Sequence, residues 1–159
     1  MNESDGAADG SLEVVRDGSG YATLLARRPF VAGALVARFG AREDLLAPNY
    51  LTVQVSADRH ILLAPEHLQY INHSCDPNVF FDTARGEIVA LRDIAADEAI
   101  TYFYPSTEWR MDRAFACHCG TAACLGEIAG ASQLAPAALA RYRLAEHIAA
   151  ALATVAAKA

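Results

Sequence analysis

Lysine is all but missing from this chain. Lys158 is its single lysine, and arginine supplies the rest of the 13 basic residues. No basic cluster breaks the net charge of −6, which argues against direct nucleic-acid binding. The negative balance fits either ordinary solubility or attraction of a basic tail on a partner. A basic start and an apolar stretch are both lacking in Met1 to Ser11, so this is not read as a signal peptide. Small and polar, residues 1–11 are expected to be disordered. No apolar run is long enough to span a bilayer; the nearest, Ile148 to Ala157, is short and mostly alanine. These absences point to a cytoplasmic protein without membrane contact, a secreted effector being the alternative. Cysteine is scarce as well, with four residues. An even count allows two disulfides in a secreted protein, but without a signal peptide metal ligation is the better reading.

What is present is a folded, mainly β chain with short helices. Apolar residues make up 53% of it and charged residues 20%, which is globular rather than disordered. Val14-Val15, Thr23 to Ala26, Ala34 to Phe39 and Tyr50 to Val55 read as strands, punctuated by glycine, proline and aspartate. Ala41 to Ala47 is expected to form one or two helical turns, ended by Pro48. Val79 to Asp82 and Glu87 to Leu91 form a hairpin pattern, and Ile100 to Tyr104 a further strand. The tail differs. From Ala137 to Ala157 it is alanine-rich, and Leu144, Ile148, Leu152 and Val155 share one helical face after Pro136. One terminal helix packed on the β body is expected, with a dimer contact as the alternative; monomer and homodimer both stay open.

Between two apolar runs lies Asn72-His73-Ser74-Cys75-Asp76-Pro77-Asn78, a polar, turn-prone stretch suited to a functional loop. Downstream, Cys117, Cys119 and Cys124 lie within eight positions, and Gly120 permits the tight turn a metal knuckle needs. Zinc in a structural site takes four protein ligands and favours thiolates, so a fourth donor is required. Cys75 is the remaining cysteine. His118 is the competing donor, although its place between two ligands points it away. If Cys75 completes the set, one closed ion pins the loop to the C-terminal segment and performs no chemistry itself.

These pieces resemble a family. Asn72 to Asn78 resembles the N-H-S-C-x-P-N signature of SET-domain protein lysine methyltransferases, and Ile100 to Tyr104 their second signature, E-L-T-[FY]-D-Y. Ala114 through Cys124 resembles the zinc-binding post-SET segment, Tyr50 to Val53 a Y-L-F segment, and Leu25 to Gly33 the N-terminal motif. The resemblance implies a SET β-clip with a pseudoknot: a SET domain over 12–105, a post-SET zinc segment over 106–130 and a C-terminal α-helix within 131–159. It implies S-adenosylmethionine as methyl donor, structural zinc on Cys75, Cys117, Cys119 and Cys124, and a lysine of a protein or peptide as acceptor. Asn72, His73, Tyr70 and Phe115 would hold the cofactor. Tyr104 would be the catalytic tyrosine beside it, Tyr50 would line the lysine channel, and Tyr102 would sit at the switch that sets how many methyl groups are added. Elementary chemistry agrees with this. In-line transfer to an amine is mainly a matter of alignment. A narrow aromatic channel also desolvates the ammonium and lowers its pKa from about 10.4.

The match departs in places. Tyr21 and Thr23 stand where the family has a G-x-G pair, with Gly18 and Gly20 three residues early. Phe103 replaces the usual aspartate of the second signature, and no cysteine-rich segment precedes the domain. The altered glycine pair and Phe103 motivate the alternative of a non-catalytic SET module that binds S-adenosylmethionine or a peptide.

Overall fold

The computed structural model describes residues 6–158. Residues 1–5 of the stretch expected to be disordered lie outside them. The remainder of that stretch folds back, with Gly6 bridging Glu13 and the Ala7 N–H donating to the Leu12 carbonyl at 2.9 Å.

The expected β-clip is present as small sheets wrapped around one core. β1 (Leu12–Arg16) and β2 (Ala22–Ala26) form an antiparallel hairpin over the turn at Asp17 to Gly20. β3 (Leu35–Arg38) pairs with β9 (Glu87–Ala90), which continues the hairpin from β8 (Val79–Asp82). Gly86 makes that hairpin's left-handed corner at φ 67°. β4 (Gly40–Leu45) and β5 (Thr52–Ser56) flank β6 (Arg59–Ala64). Leu12, Leu24, Leu63, Leu68, Phe81, Ile88, Ile94 and Ile100 fill the space between the sheets. Among the described residues, no helix is long and apolar enough to cross a membrane.

Two elements away from the signature stretches differ from the sequence reading. The helical turns expected at Ala41 to Ala47 are instead β4, an edge strand registered on β6 from Gly40 opposite Ala64 to Leu45 opposite His60. Local helix preference is weak there, and pairing to a neighbouring strand overrides it. The single tail helix is also broken, into α1 (Pro136–Leu139) and α2 (Glu146–Ala157). Pro136 does start a helix, as expected, but Ile148 is buried while Val155 is exposed.

The break has a physical cause. Tyr142 lies flat on Phe103, with ring centroids 3.6 Å apart and planes 4° apart, and its hydroxyl donates to the Cys75 carbonyl at 2.7 Å. The Ala145 N–H donates to the Ser106 carbonyl at 2.9 Å. Those contacts pull the chain out of the helix between α1 and α2. Phe103, Ala131, Leu139 and Ile148 then form a second core, with Trp109 packed against it. Phe103, the residue in place of the aspartate, is therefore what the C-terminal segment is built on.

Candidate active site

The two signature stretches meet at a pair of very short strands. β7 (Asn72–His73) runs parallel to β10 (Thr101–Tyr102), with Asn72 opposite Thr101 and His73 opposite Tyr102. Asn78 is the clamp that holds this crossing. Fully buried, it receives the Thr101 N–H on Oδ1 at 2.9 Å and donates from Nδ2 to the Ala99 carbonyl at 2.8 Å. Its backbone N–H donates to the Thr101 carbonyl at 3.2 Å. The pseudoknot thus rests on a buried amide whose polar atoms are bonded, which is the condition for burying one at all.

β10 is shorter than the sequence suggested. It ends at Tyr102, and Tyr104 begins a 3-10 turn over Tyr104–Ser106 that contains Pro105. Proline has no N–H to continue a ladder, so the turn starts there. The turn swings the Tyr104 ring beside His73, at 5.2 Å between centroids, and beside Tyr102, at 4.7 Å. The Tyr104 hydroxyl donates to the Ile71 carbonyl at 3.2 Å. Burial raises its pKa far above the ordinary phenol value, so it stays protonated at neutral pH and acts as an orienting hydroxyl rather than a base.

His73 has a role that its motif position did not reveal. Its Nδ1 accepts the Tyr104 backbone N–H at 3.2 Å. The ring proton therefore belongs on Nε2, which faces Cys75 Sγ at 3.4 Å. Burial lowers the His73 pKa to about 4, so the ring is neutral at physiological pH. One neutral imidazole thus joins the cysteine cluster to the backbone of Tyr104.

Two cavities converge on this point. A wide groove of about 790 Å³ is lined by Gly20, Tyr21, Asn72, His73, Tyr104 and Phe115 among others, and Tyr70 contributes to its wall. A narrow slot of about 130 Å³ runs past Thr52, Tyr102, Tyr104, Glu108 and Phe115. The groove has the size of an ordinary ligand pocket and the slot is well below it. Tyr50, expected as a channel wall, touches both cavities from the rim with 86% of its surface exposed. Tyr102 is buried between Phe81, at 4.4 Å, and Tyr104. The glycine question has a local answer. Gly20, at φ 88°, lines the groove next to Tyr21, and the Asn72 side chain donates to the neighbouring Ala22 carbonyl at 3.0 Å. Gly18 is not among the lining residues.

Behind the groove, the ligand atoms of Cys75, Cys117, Cys119 and Cys124 lie within 4.8 Å of one another. A tetrahedron of zinc–sulfur bonds of about 2.3 Å separates its sulfurs by about 3.8 Å, and Cys75 Sγ to Cys117 Sγ is 3.9 Å. The Leu125 N–H points at Cys75 Sγ at 3.3 Å, the kind of outer contact that supports a thiolate ligand. Burial raises the Cys75 and Cys117 pKa values. Cys119, by contrast, is lowered, because bonds from Thr121 outweigh its burial. Gly120 makes the knuckle turn at φ 73°. The donor set and its spacing fit zinc. β11 (Phe115–Ala116) and β12 (Glu127–Ile128) close the segment and carry Phe115 to the groove wall.

Sequence reasoning missed Glu108, which is buried in the slot wall. Its Oε2 accepts the Gln54 N–H at 3.0 Å and the Thr107 hydroxyl at 2.6 Å. Gly130 explains how it is held: the Ala131 N–H donates to the Glu108 carbonyl at 2.8 Å, and a Cβ on Gly130 would lie 2.3 Å from the Trp109 carbonyl oxygen. Burial pushes the Glu108 carboxyl up to about 7, against the lowering effect of its two hydrogen bonds. A raised carboxyl holds a proton in the folded state that the unfolded chain has already released. Stability should therefore fall as pH rises from about 4.5 to about 7, by on the order of 3 kcal/mol for this group. Glu108→Gln should remove that fall, measured by urea denaturation at pH 5 and pH 8; an unchanged pH dependence would contradict it.

Comparison with known proteins places these features in a lineage. The SET domain family model matches residues 22–105. Methyltransferase flvH of Aspergillus flavus is 36% identical over 142 residues, covering 87% of this chain and 79% of that protein. A histone-lysine N-methyltransferase, H3 lysine-4 specific, of Emericella nidulans is 42% identical over 65 residues, 36% of this chain but 5% of that much longer protein. Among solved structures, KRYPTONITE in complex with mCHH DNA, an H3(1-15) peptide and SAH superposes with a TM-score of 0.55. The identity is 22%, over 73% of this chain and 29% of that one, a likeness of fold alone. That complex corrects one expectation. The exclusion of nucleic acid does not follow for this fold, since a larger protein containing it was solved with DNA.

Proposed function

The chain belongs to the SET-domain family of methyltransferases, and on that premise we propose that it is an S-adenosylmethionine-dependent protein-lysine N-methyltransferase. The observation that carries this reading is the meeting of the wide groove and the narrow aromatic slot at Tyr104 and Phe115. A cofactor and an acceptor that approach from opposite sides can react in line only if their pockets share one junction. The H3(1-15) peptide recorded with the KRYPTONITE fold supports a peptide acceptor.

In this reading the groove holds S-adenosylmethionine, which supplies an electrophilic methyl group. Asn72, His73, Tyr70 and Phe115 line its site, Phe115 next to the cysteine knuckle. Zinc on the four cysteines keeps Phe115 in place and performs no chemistry. Tyr104 presents its hydroxyl at the junction, and the slot strips water from the incoming amine, so that less of it is held as unreactive ammonium. Tyr50 guides entry from the rim. Tyr102, deep in the slot, limits the room around the amine and favours a single methylation. Tyr102→Phe should shift products towards dimethyl-lysine in intact-mass analysis; the same product distribution in both proteins would remove Tyr102 from that role.

Calorimetry with S-adenosylhomocysteine tests the cofactor site directly. One site per chain is expected, weakened by Asn72→Ala, whereas no heat of binding would refute the reading.

A further inference from the structure

A buried carboxyl is an odd component for an aromatic slot. Glu108 is 5% exposed, yet it lines the same cavity as Tyr102, Tyr104 and Phe115. Burial raises the pKa values of the Tyr102 and Tyr104 phenols, and the nearby Glu108 charge adds to the rise in both. The two donors to its side chain, the Gln54 backbone N–H and the Thr107 hydroxyl, both end on Oε2. A glutamine carbonyl would satisfy those same two donors without the desolvation penalty of an acid. The fold therefore gains nothing from the carboxyl that an amide would not give, and it bears the cost of burying an ionisable group. Such an expense in a cavity wall is the mark of a functional group.

We propose that Glu108 is the acceptor-binding residue of the slot: its carboxylate pairs with the primary ammonium of the incoming side chain and takes one proton from it. This deepens the methyltransferase reading and rests on it. The need for the second half is chemical. A fixed anion alone would hold the amine charged and unreactive. A carboxyl that titrates near neutrality resolves the conflict. One N–H bond of the ammonium breaks, its electron pair stays on nitrogen, and an O–H bond forms on Glu108. The ion pair becomes a neutral amine beside a neutral acid, a pair better suited to a dry aromatic cavity than two charges. The aromatic walls then hold the aliphatic chain, and the acid sets which head group is accepted: a primary ammonium over a neutral alcohol of equal length.

The test uses n-butylammonium as a mimic of the lysine side chain, n-butanol as its neutral counterpart, and protein saturated with S-adenosylhomocysteine, followed by NMR. Wild-type protein should prefer the ammonium, and its affinity should fall by about 10-fold as pH drops from 8 to 5, the size of a lost charge-assisted hydrogen bond. Glu108→Gln should bind S-adenosylhomocysteine and n-butanol as the wild type does, bind n-butylammonium about 10-fold more weakly, and lose the pH dependence. In turnover, the acidic limb of kcat/KM near pH 7 should vanish in the variant. Equal affinity of wild type and Glu108→Gln for the ammonium would overturn the role of Glu108 alone. Failure of the wild type to bind S-adenosylhomocysteine would overturn the methyltransferase reading beneath it. Should the variant not fold, a pH-independent ammonium affinity in the wild type is by itself enough to overturn the proposal.

Discussion

Stripping the proposed zinc from this protein should sharply weaken S-adenosylhomocysteine binding while most of the β body stays folded. The 115–130 segment has little to hold it otherwise. β11 and β12 pair over two residues each, and their core is Cys75, Cys117 and Ile128 with a few partly buried neighbours. Structural zinc sites contribute about 10–16 kcal/mol of apparent binding free energy in small peptides, comparable with the whole stability of a domain. Without the ion, four thiols crowded within 4.8 Å offer no comparable attraction. Phe115 then leaves the groove wall, and the His73 contact to Cys75 loses its anchor. Chelation, or Cys119→Ser, should weaken S-adenosylhomocysteine binding at least about 100-fold, the scale on which outer supports of metal sites already act. Amide exchange should accelerate from Phe115 to Ile128 and stay slow in the sheet of β4, β6 and β5. Undiminished cofactor affinity in the metal-free protein would separate the knuckle from the groove and defeat this account.

Tyr104→Phe should reduce methyl transfer by about 10²–10³-fold, the usual cost of removing one preorganised donor from a reacting centre. The phenol is a polar group at the junction of groove and slot, and burial keeps it protonated. What the variant loses in structure is small: the bond from the Tyr104 hydroxyl to the Ile71 carbonyl, worth about 1 kcal/mol. The ring contacts to His73, Tyr102 and Phe115 remain. Cofactor affinity should therefore stay close to wild type, which distinguishes a lost alignment from a collapsed pocket. Single-turnover rates with saturating cofactor measure the difference, and a fully active variant would take Tyr104 out of the reaction.

The parts of this site that could be read from sequence are those whose residue types carry their own chemistry. Three cysteines within eight positions needed a fourth ligand, and the structure brings Cys75 to them rather than His118. Asn72, Tyr102 and Tyr104 arrived together because short motifs fix the register of β7 on β10. The misreadings arose where tertiary contacts decide. Ala41 to Leu45 has weak local preference and follows β6. The alanine-rich tail would propagate as one helix but for Tyr142, whose stack on Phe103 and bond to Cys75 fix a break. Glu108 gave no signal because a glutamate between Thr107 and Trp109 looks like any surface acid. Its burial depends on Gln54, 54 residues earlier, and on the close approach of Gly130 to Trp109. His73 was legible as a motif residue but not as a neutral bridge, since its tautomer is set by the Tyr104 N–H.

In the proposed reaction, the junction of groove and slot transfers a methyl group to a lysine amine. Incubating the zinc-loaded protein with deuteromethyl-labelled S-adenosylmethionine, core histones and a soluble cell extract, followed by mass-spectrometric site mapping, tests it most directly. Labelled methyl should appear on lysine Nζ atoms and disappear with Tyr104→Phe. Label on no lysine, from a protein that binds S-adenosylhomocysteine in the same preparation, would contradict it and favour a binding module without turnover.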